Sequence, residues 1–149
     1  MSLRNSPSSS IYGRILLVDD NANGLCARKT VLEEVGHKIT AVTSGPDALE
    51  CFSKQKYDLV VTDYKMPRMD GLELIARLRR ISPELPIVMV SGFVDALGMN
   101  EESTGADAVI QKSANEVSHL LRAVSRLLRK KPSRKSPVAE TPKVKRKAV

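Results

Sequence analysis

Apolar and polar positions along this chain keep two different rhythms. Short aliphatic or β-branched runs recur at Ile15-Leu16-Leu17-Val18, Ile39 to Val42, Leu59-Val60-Val61, Ile87-Val88-Met89-Val90 and Ala108-Val109-Ile110. Runs of this length between turn signals suit strands buried on both faces. Strands are therefore expected near 14–18, 38–43, a stretch ending at Asp63, 87–90 and 108–110. The second run alternates imperfectly, with Ile39 and Ala41 on one face and Thr40 and Val42 on the other. Its length and β-branching still favour a strand.

Helical spacing fills the gaps. A first helix is expected over about 22–35, with Ala27, Val31, Leu32 and Val35 as its apolar stripe and Gly36 as its stop. Gly24 inside it costs ~1 kcal/mol relative to alanine. Ser44 followed by Asp47 reads as a capping arrangement for a second helix, with Ala48, Leu49 and Phe52 facing inward. A third helix spans about 71–81, with Leu72, Ile75, Leu78 and Ile81 at helical spacing and Ser82-Pro83 as its stop. A fourth, about 94–103, is weakened by Gly98, Asn100 and Ser103. The fifth is the most periodic: Val117, Leu120, Leu121, Val124, Leu127 and Leu128, with Ser113 and Glu116 as a capping box and Pro132 as its end. Five strands alternating with five helices demand an α/β fold, a doubly wound parallel sheet with helices on both faces and right-handed crossovers.

The chemistry gathers where the runs stop. The stretch Arg14 to Val18 ends in Asp19-Asp20, and Leu59 to Thr62 ends in Asp63. Met66-Pro67 then forces extended or turn geometry before Asp70-Gly71 opens the next helix. The carboxyl ends of strands in an open parallel sheet are where ligands collect. Three clustered carboxylates repel unless a cation offsets them, and an all-oxygen set suits a hard divalent ion such as Mg²⁺. Taken singly, Asp63 also reads as a strand-end acid, Asp20 as a helix cap, Ser91 as a turn residue and Lys112 as a solvated lysine. His37 follows a helix stop and His119 lies on a helix, neither with a partner pattern for catalysis.

Charge changes the picture at one end only. Residues 129–149 hold nine Lys/Arg and one acid, leaving fifteen basic and sixteen acidic residues elsewhere, so the net +7 belongs to the tail. That tail, with Pro132, Pro137 and Pro142, has too little apolar area to fold alone. It is also too short for a DNA-binding output domain, and a weak, non-specific nucleic-acid or acidic-partner contact is the alternative to a solubilising role. Residues 1–12, rich in serine, read as a disordered arm; no secretory h-region is present. No run approaches the ~20 apolar residues of a membrane helix. Cys26 and Cys51 fall on expected helices and read as reduced thiols of a cytoplasmic protein. A chain of 149 residues fits one domain with short extensions, here 1–12, 13–130 and 131–149.

With Asp19-Asp20, Asp63 and Met66-Pro67-x-x-Asp70-Gly71, Ser91-Gly92, and Gly105-Ala106-Asp107 followed by Lys112, the chain resembles receiver domains of two-component response regulators, the chemotaxis-regulator type. The resemblance covers about residues 13–130. It implies a flavodoxin-like strand order 2-1-3-4-5. It implies that Asp63 accepts a phosphoryl group from a histidine kinase or phosphotransfer protein, with Ser91 and Lys112 contacting the phosphate. It implies Mg²⁺ held by Asp20, Asp63 and the backbone carbonyl of Lys65, with Asp19 acting through water. The expected role is a stand-alone phosphorylation switch rather than an enzyme, with its downstream target unnamed. Three departures from the family pattern stand out. Ser113 replaces the proline that usually follows the site lysine in a cis bond; a cis non-proline bond costs about 2.5–4 kcal/mol, which favours trans. Val109 occupies the aromatic switch position, and the segment from Ser91 to Lys112 is about one residue short, so a truncated fourth helix is expected. Competing classes are a phosphorylation-independent interaction module and a tail-mediated nucleic-acid-associated protein.

Overall fold

The computed structural model describes residues 11–135. Five strands, β1 (Arg14–Val18), β2 (Lys38–Val42), β3 (Leu59–Asp63), β4 (Ile87–Ser91) and β5 (Ala108–Gln111), alternate with helices α1 (Ala22–Glu34), α2 (Gly45–Lys54), α3 (Gly71–Ile81), α4 (Val94–Leu97), α5 (Glu101–Thr104) and α6 (Glu116–Lys135). The sheet is all parallel, in the order β2-β1-β3-β4-β5. This is the expected topology with one helix more. The additional helix arises because the fourth expected helix is broken in two: Gly98 adopts a left-handed conformation (φ 62°) and ends α4, and Asn100 caps α5. Residues 1–10 and 136–149 lie outside the described residues, and with them most of the expected arm and tail.

Alternation along the strands divides the core between two faces. Ile15, Leu17, Leu59, Val61, Val88 and Val90 pack with Leu32 of α1 and Leu120, Val124, Leu127 and Leu128 of α6. Leu16, Val18, Val60, Ile87 and Met89 pack on the other side with Ala48 of α2 and Leu74, Ile75 and Leu78 of α3. Each fully buried aliphatic side chain contributes about 1.5–3 kcal/mol, so the two layers together fix the sheet between its helices.

Several expected faces are rotated. In α1 the inward residues are Leu25, Arg28, Val31 and Leu32, while Ala27 and Val35 are exposed. In α3 Leu74 is buried, Leu72 is half-buried and Ile81 points outward. In α6 Val117 is exposed and Ala123 takes an inward place. That helix continues past Pro132 to Lys135 rather than ending at the proline. The Ser113–Glu116 capping box does not form: Ser113 Oγ accepts from the Asn115 N–H at 3.2 Å, and the Glu116 carboxylate turns to Arg28. The Ser44 cap does form, its side chain accepting from the Asp47 N–H.

Candidate functional site

Register brings the acids together. Val18 pairs with Thr62, so Asp19 and Asp63, each one step further, emerge side by side on adjacent strands, whose spacing is about 4.8 Å. Asp63 in turn pairs with Val90, placing Ser91 one step beyond, and Ser91 pairs with Gln111, just before Lys112. Carboxylate oxygens of Asp19, Asp20 and Asp63 all lie within 4.8 Å of one another. Asp19 and Asp63 are buried and Asp20 is exposed. The cluster is thus a shallow pit with two acids on its floor and one at its rim.

Backbone and lysine hold Asp63. Its Oδ1 accepts the Tyr64 N–H at 2.8 Å, and the Lys112 ammonium lies 3.1 Å from Oδ2. Burial and the nearby Asp19 push the Asp63 carboxyl above its ordinary range, against the pull of Lys112. Lys112 reaches this position with no cis peptide bond among the described residues, so the serine at 113 does not cost the lysine its place. The turn after Asp63 closes tightly: Gly71 N–H donates to Tyr64 C=O at 2.7 Å, and a Cβ at Gly71 would collide with the Asp63 carbonyl.

Ser91 is buried beside this group, and its backbone carbonyl accepts the Lys112 N–H at 2.9 Å. Its hydroxyl is engaged within its own loop, accepting the Phe93 N–H at 2.9 Å. Phe93 meets Tyr64 edge-on with ring centroids 5.9 Å apart, and the exposed Lys65 places its ammonium 5.9 Å from the Phe93 ring. Gln111 ties the two loops together, accepting from Asp95 N–H and donating to the carbonyl of Gly92.

One part of the site escaped the sequence reading. Arg28 is buried on α1, and its guanidinium forks between two acids, Nη1 to Asp19 Oδ2 and Nε to Glu116 Oε2 at 2.6 Å. Burial lowers the arginine pKa, yet the bonds and charges of Glu116 and Asp19 outweigh it and leave it raised. The signal was present: Arg28 sits at the i, i+3, i+4 spacing of Val31 and Leu32, a cation written into an apolar stripe. Gly24 belongs to the same feature, since a Cβ there would stand 2.8 Å from Asp19 Oδ2. His37 is buried, with Nδ1 accepting the Gly13 N–H at 3.1 Å, and burial lowers its pKa; it lies apart from the acids as a packing residue.

The donor set fits a divalent cation in kind. It is all oxygen, and Asp63 is held against the charge of Asp19, a repulsion that a cation relieves. Two of the three negative charges already have a cationic partner, Asp63 in Lys112 and Asp19 in Arg28.

Residues 15–125 match the family described as response regulator receiver domain. Among curated proteins, the chain is 31% identical over 116 residues to the response regulator receiver protein CpdR of Brucella abortus, covering 77% of this chain and 96% of that one. It is 40% identical over 74 residues to the probable histidine kinase 1 of rice, where the match covers 50% of this chain and only 8% of the kinase. Among solved structures, it is similar to the response regulator TrrA of Thermotoga maritima in complex with Mg²⁺-BeF, with TM-score 0.70, 32% identity, and 76% of this chain and 97% of that chain covered. A CheY-like receiver domain protein from Methanospirillum hungatei gives TM-score 0.73 at 27% identity, covering 83% and 99%.

Proposed function

The chain belongs to the response regulator receiver domain family, and we propose that within it Asp63 is the phosphoacceptor of a Mg²⁺-dependent switch. The observation that carries this reading is the Asp63 carboxylate at the strand end with the Lys112 ammonium 3.1 Å away. A carboxylate oxygen of Asp63 attacks the phosphorus of a phosphohistidine on a sensor kinase or phosphotransfer protein. The P–O bond forms as the P–N bond breaks. The departing imidazole keeps the electron pair and takes up a proton, and an acyl phosphate remains on Asp63. Lys112 offsets the charge of the transferred group as a compact ammonium. The Ser91 hydroxyl exchanges its Phe93 contact for a phosphoryl oxygen. Asp19, Asp20 and Asp63, with the backbone carbonyl of Lys65, are the residues to hold Mg²⁺. Bound there, Mg²⁺ supplies the positive charge that lets a phosphoryl group approach three acids.

The switch turns over no external metabolite, so it is a signalling module rather than an enzyme. Its donor is a cytoplasmic phosphohistidine. The TrrA structure with Mg²⁺-BeF supports the same site chemistry in a relative. The test is intact mass after incubation with acetyl phosphate and Mg²⁺. Wild type gains one phosphoryl mass and Asp63→Asn gains none; equal labelling of that variant places the acceptor elsewhere and overturns the reading.

A further inference from the structure

Arg28 has no part in the phosphoryl chemistry above, yet it occupies the floor of the acid pit. Its side chain is 7% exposed and touches an Asp19 that is 1% exposed. A buried cation needs partners on every donor it can satisfy. Arg28 has two, Asp19 from the end of β1 and Glu116 from the first turn of α6. Asp19 divides its own oxygens in turn: Oδ2 takes the guanidinium, while Oδ1 accepts the Asn21 N–H at 2.9 Å. Gly24 leaves the space in which the guanidinium and carboxylate meet. Three elements are therefore built around one ion pair.

We propose that Arg28 is a resident counter-cation that competes with Mg²⁺ for Asp19, and that Glu116, by sharing the guanidinium, sets how strongly it competes. This rests on the reading of Asp19, Asp20 and Asp63 as the metal site. The physical reason is direct. A divalent ion at the three carboxylates meets a positive charge already bonded to one of them, and the burial of both Arg28 and Asp19 weakens solvent screening of that charge. Repulsion weakens the ion's binding. Glu116 draws part of the guanidinium's charge away from Asp19, so it moderates that effect. The pair lowers Mg²⁺ occupancy at a given concentration of the ion, and it holds Asp19 in place when the ion is absent.

A positioning role for Arg28, one that merely aims Asp19 at the metal, predicts the opposite sign. The two are separated by direct binding. Mn²⁺ serves as the probe, its free fraction read by electron paramagnetic resonance, and Mg²⁺ is then titrated in competition on the full chain. Arg28→Met should tighten Mg²⁺ binding by roughly tenfold, the scale of removing one close charge. Glu116→Gln should weaken it several-fold, since the whole guanidinium then falls to Asp19. Arg28→Lys keeps the charge and should stay near wild type. Glu116→Gln is the safeguard against misfolding, because it leaves Arg28 bonded to Asp19. Weaker binding in Arg28→Met, or tighter binding in Glu116→Gln, overturns the proposal while leaving the metal site intact. Wild type that binds neither ion overturns the metal site and this proposal with it.

Discussion

Asp63 and Asp19 are neighbours on adjacent strands, both buried, and each is paired with one cation. The cations differ. Lys112 is a point charge on a flexible stem, 36% exposed, making one contact to Asp63 at 3.1 Å. Arg28 is a planar fork, 7% exposed, joined at once to Asp19 and Glu116. Exposure decides what each pair can do. A half-exposed ammonium can follow a group that arrives from solvent, so Asp63 remains reachable. A buried guanidinium cannot withdraw without leaving charge unpaired, so Asp19 is held. One half of the acid pit is built for exchange and the other for permanence.

The sharpest way to break that contrast is to remove each cation without metal present. Arg28→Met should cost about 3–5 kcal/mol, the scale for leaving a buried partner charge uncompensated. Lys112→Met should cost about 1 kcal/mol or less, because its partly exposed pair resembles a surface one. Urea denaturation of both variants in EDTA reads the difference. Equal losses would show that the two halves are equally rigid.

A smaller effect is expected at Asp63 itself. Burial and the charge of Asp19 raise its carboxyl above the 3.8 of a free aspartate. A raised carboxyl pKa means that the ionised form destabilises the fold. Asp63→Asn should therefore melt a few degrees higher than wild type at neutral pH in EDTA. The sign of the pH dependence follows. The burden is absent below the unfolded value and is incurred as pH rises through the raised folded value. The gap between variant and wild type should thus close as pH falls toward 3.8. Thermal melts of both proteins across that range check it. A gap that widens on acidification would mean Lys112 already overcompensates the acid.

The acids of the pit and Lys112 were legible in the sequence, and the Arg28–Glu116 partnership that makes one half permanent was not. Asp19, Asp20, Asp63 and Lys112 announce themselves because each falls at or just past the end of a largely apolar strand, and register then does the rest. Strand order needed the family resemblance, since alternation alone cannot say which strands pair. Arg28 is hidden in the sequence because charged side chains are ordinarily exposed. The stripe expected for α1 runs through Ala27 and Val35, which are exposed, and leaves out Arg28, which is buried. Glu116 was misassigned for a related reason: its spacing from Ser113 fits a local cap, and nothing local shows that Arg28 competes for it. Long-range charge pairs, 88 residues apart in this case, leave no periodic trace. The broken fourth helix was foreshadowed by Gly98 and Asn100, but not its division into two separately capped turns.

Gly24 offers the finest probe of the buried half. On propensity alone, Gly24→Ala inside α1 should stabilise the protein by up to ~1 kcal/mol. The new Cβ, however, would stand 2.8 Å from Asp19 Oδ2 and 3.2 Å from Arg28 Nη1. The carboxylate is also tied to the Asn21 N–H, and the guanidinium to Glu116, so neither can yield freely. The crowding should outweigh the propensity gain and leave a net loss of about 0.5–1 kcal/mol, within the ordinary range for single substitutions. The assignment of cause comes from a double-mutant cycle with Asp19→Ala, measured by urea denaturation. With the carboxylate gone, the tighter contact goes and the guanidinium is released from Asp19 and can give way, so Gly24→Ala should turn stabilising. The change of sign is the diagnostic, because a glycine needed only for backbone freedom would cost the same in both backgrounds. If Gly24→Ala already stabilises the protein with Asp19 present, the ion pair has room to move, and the buried half is as adjustable as the half that faces Lys112.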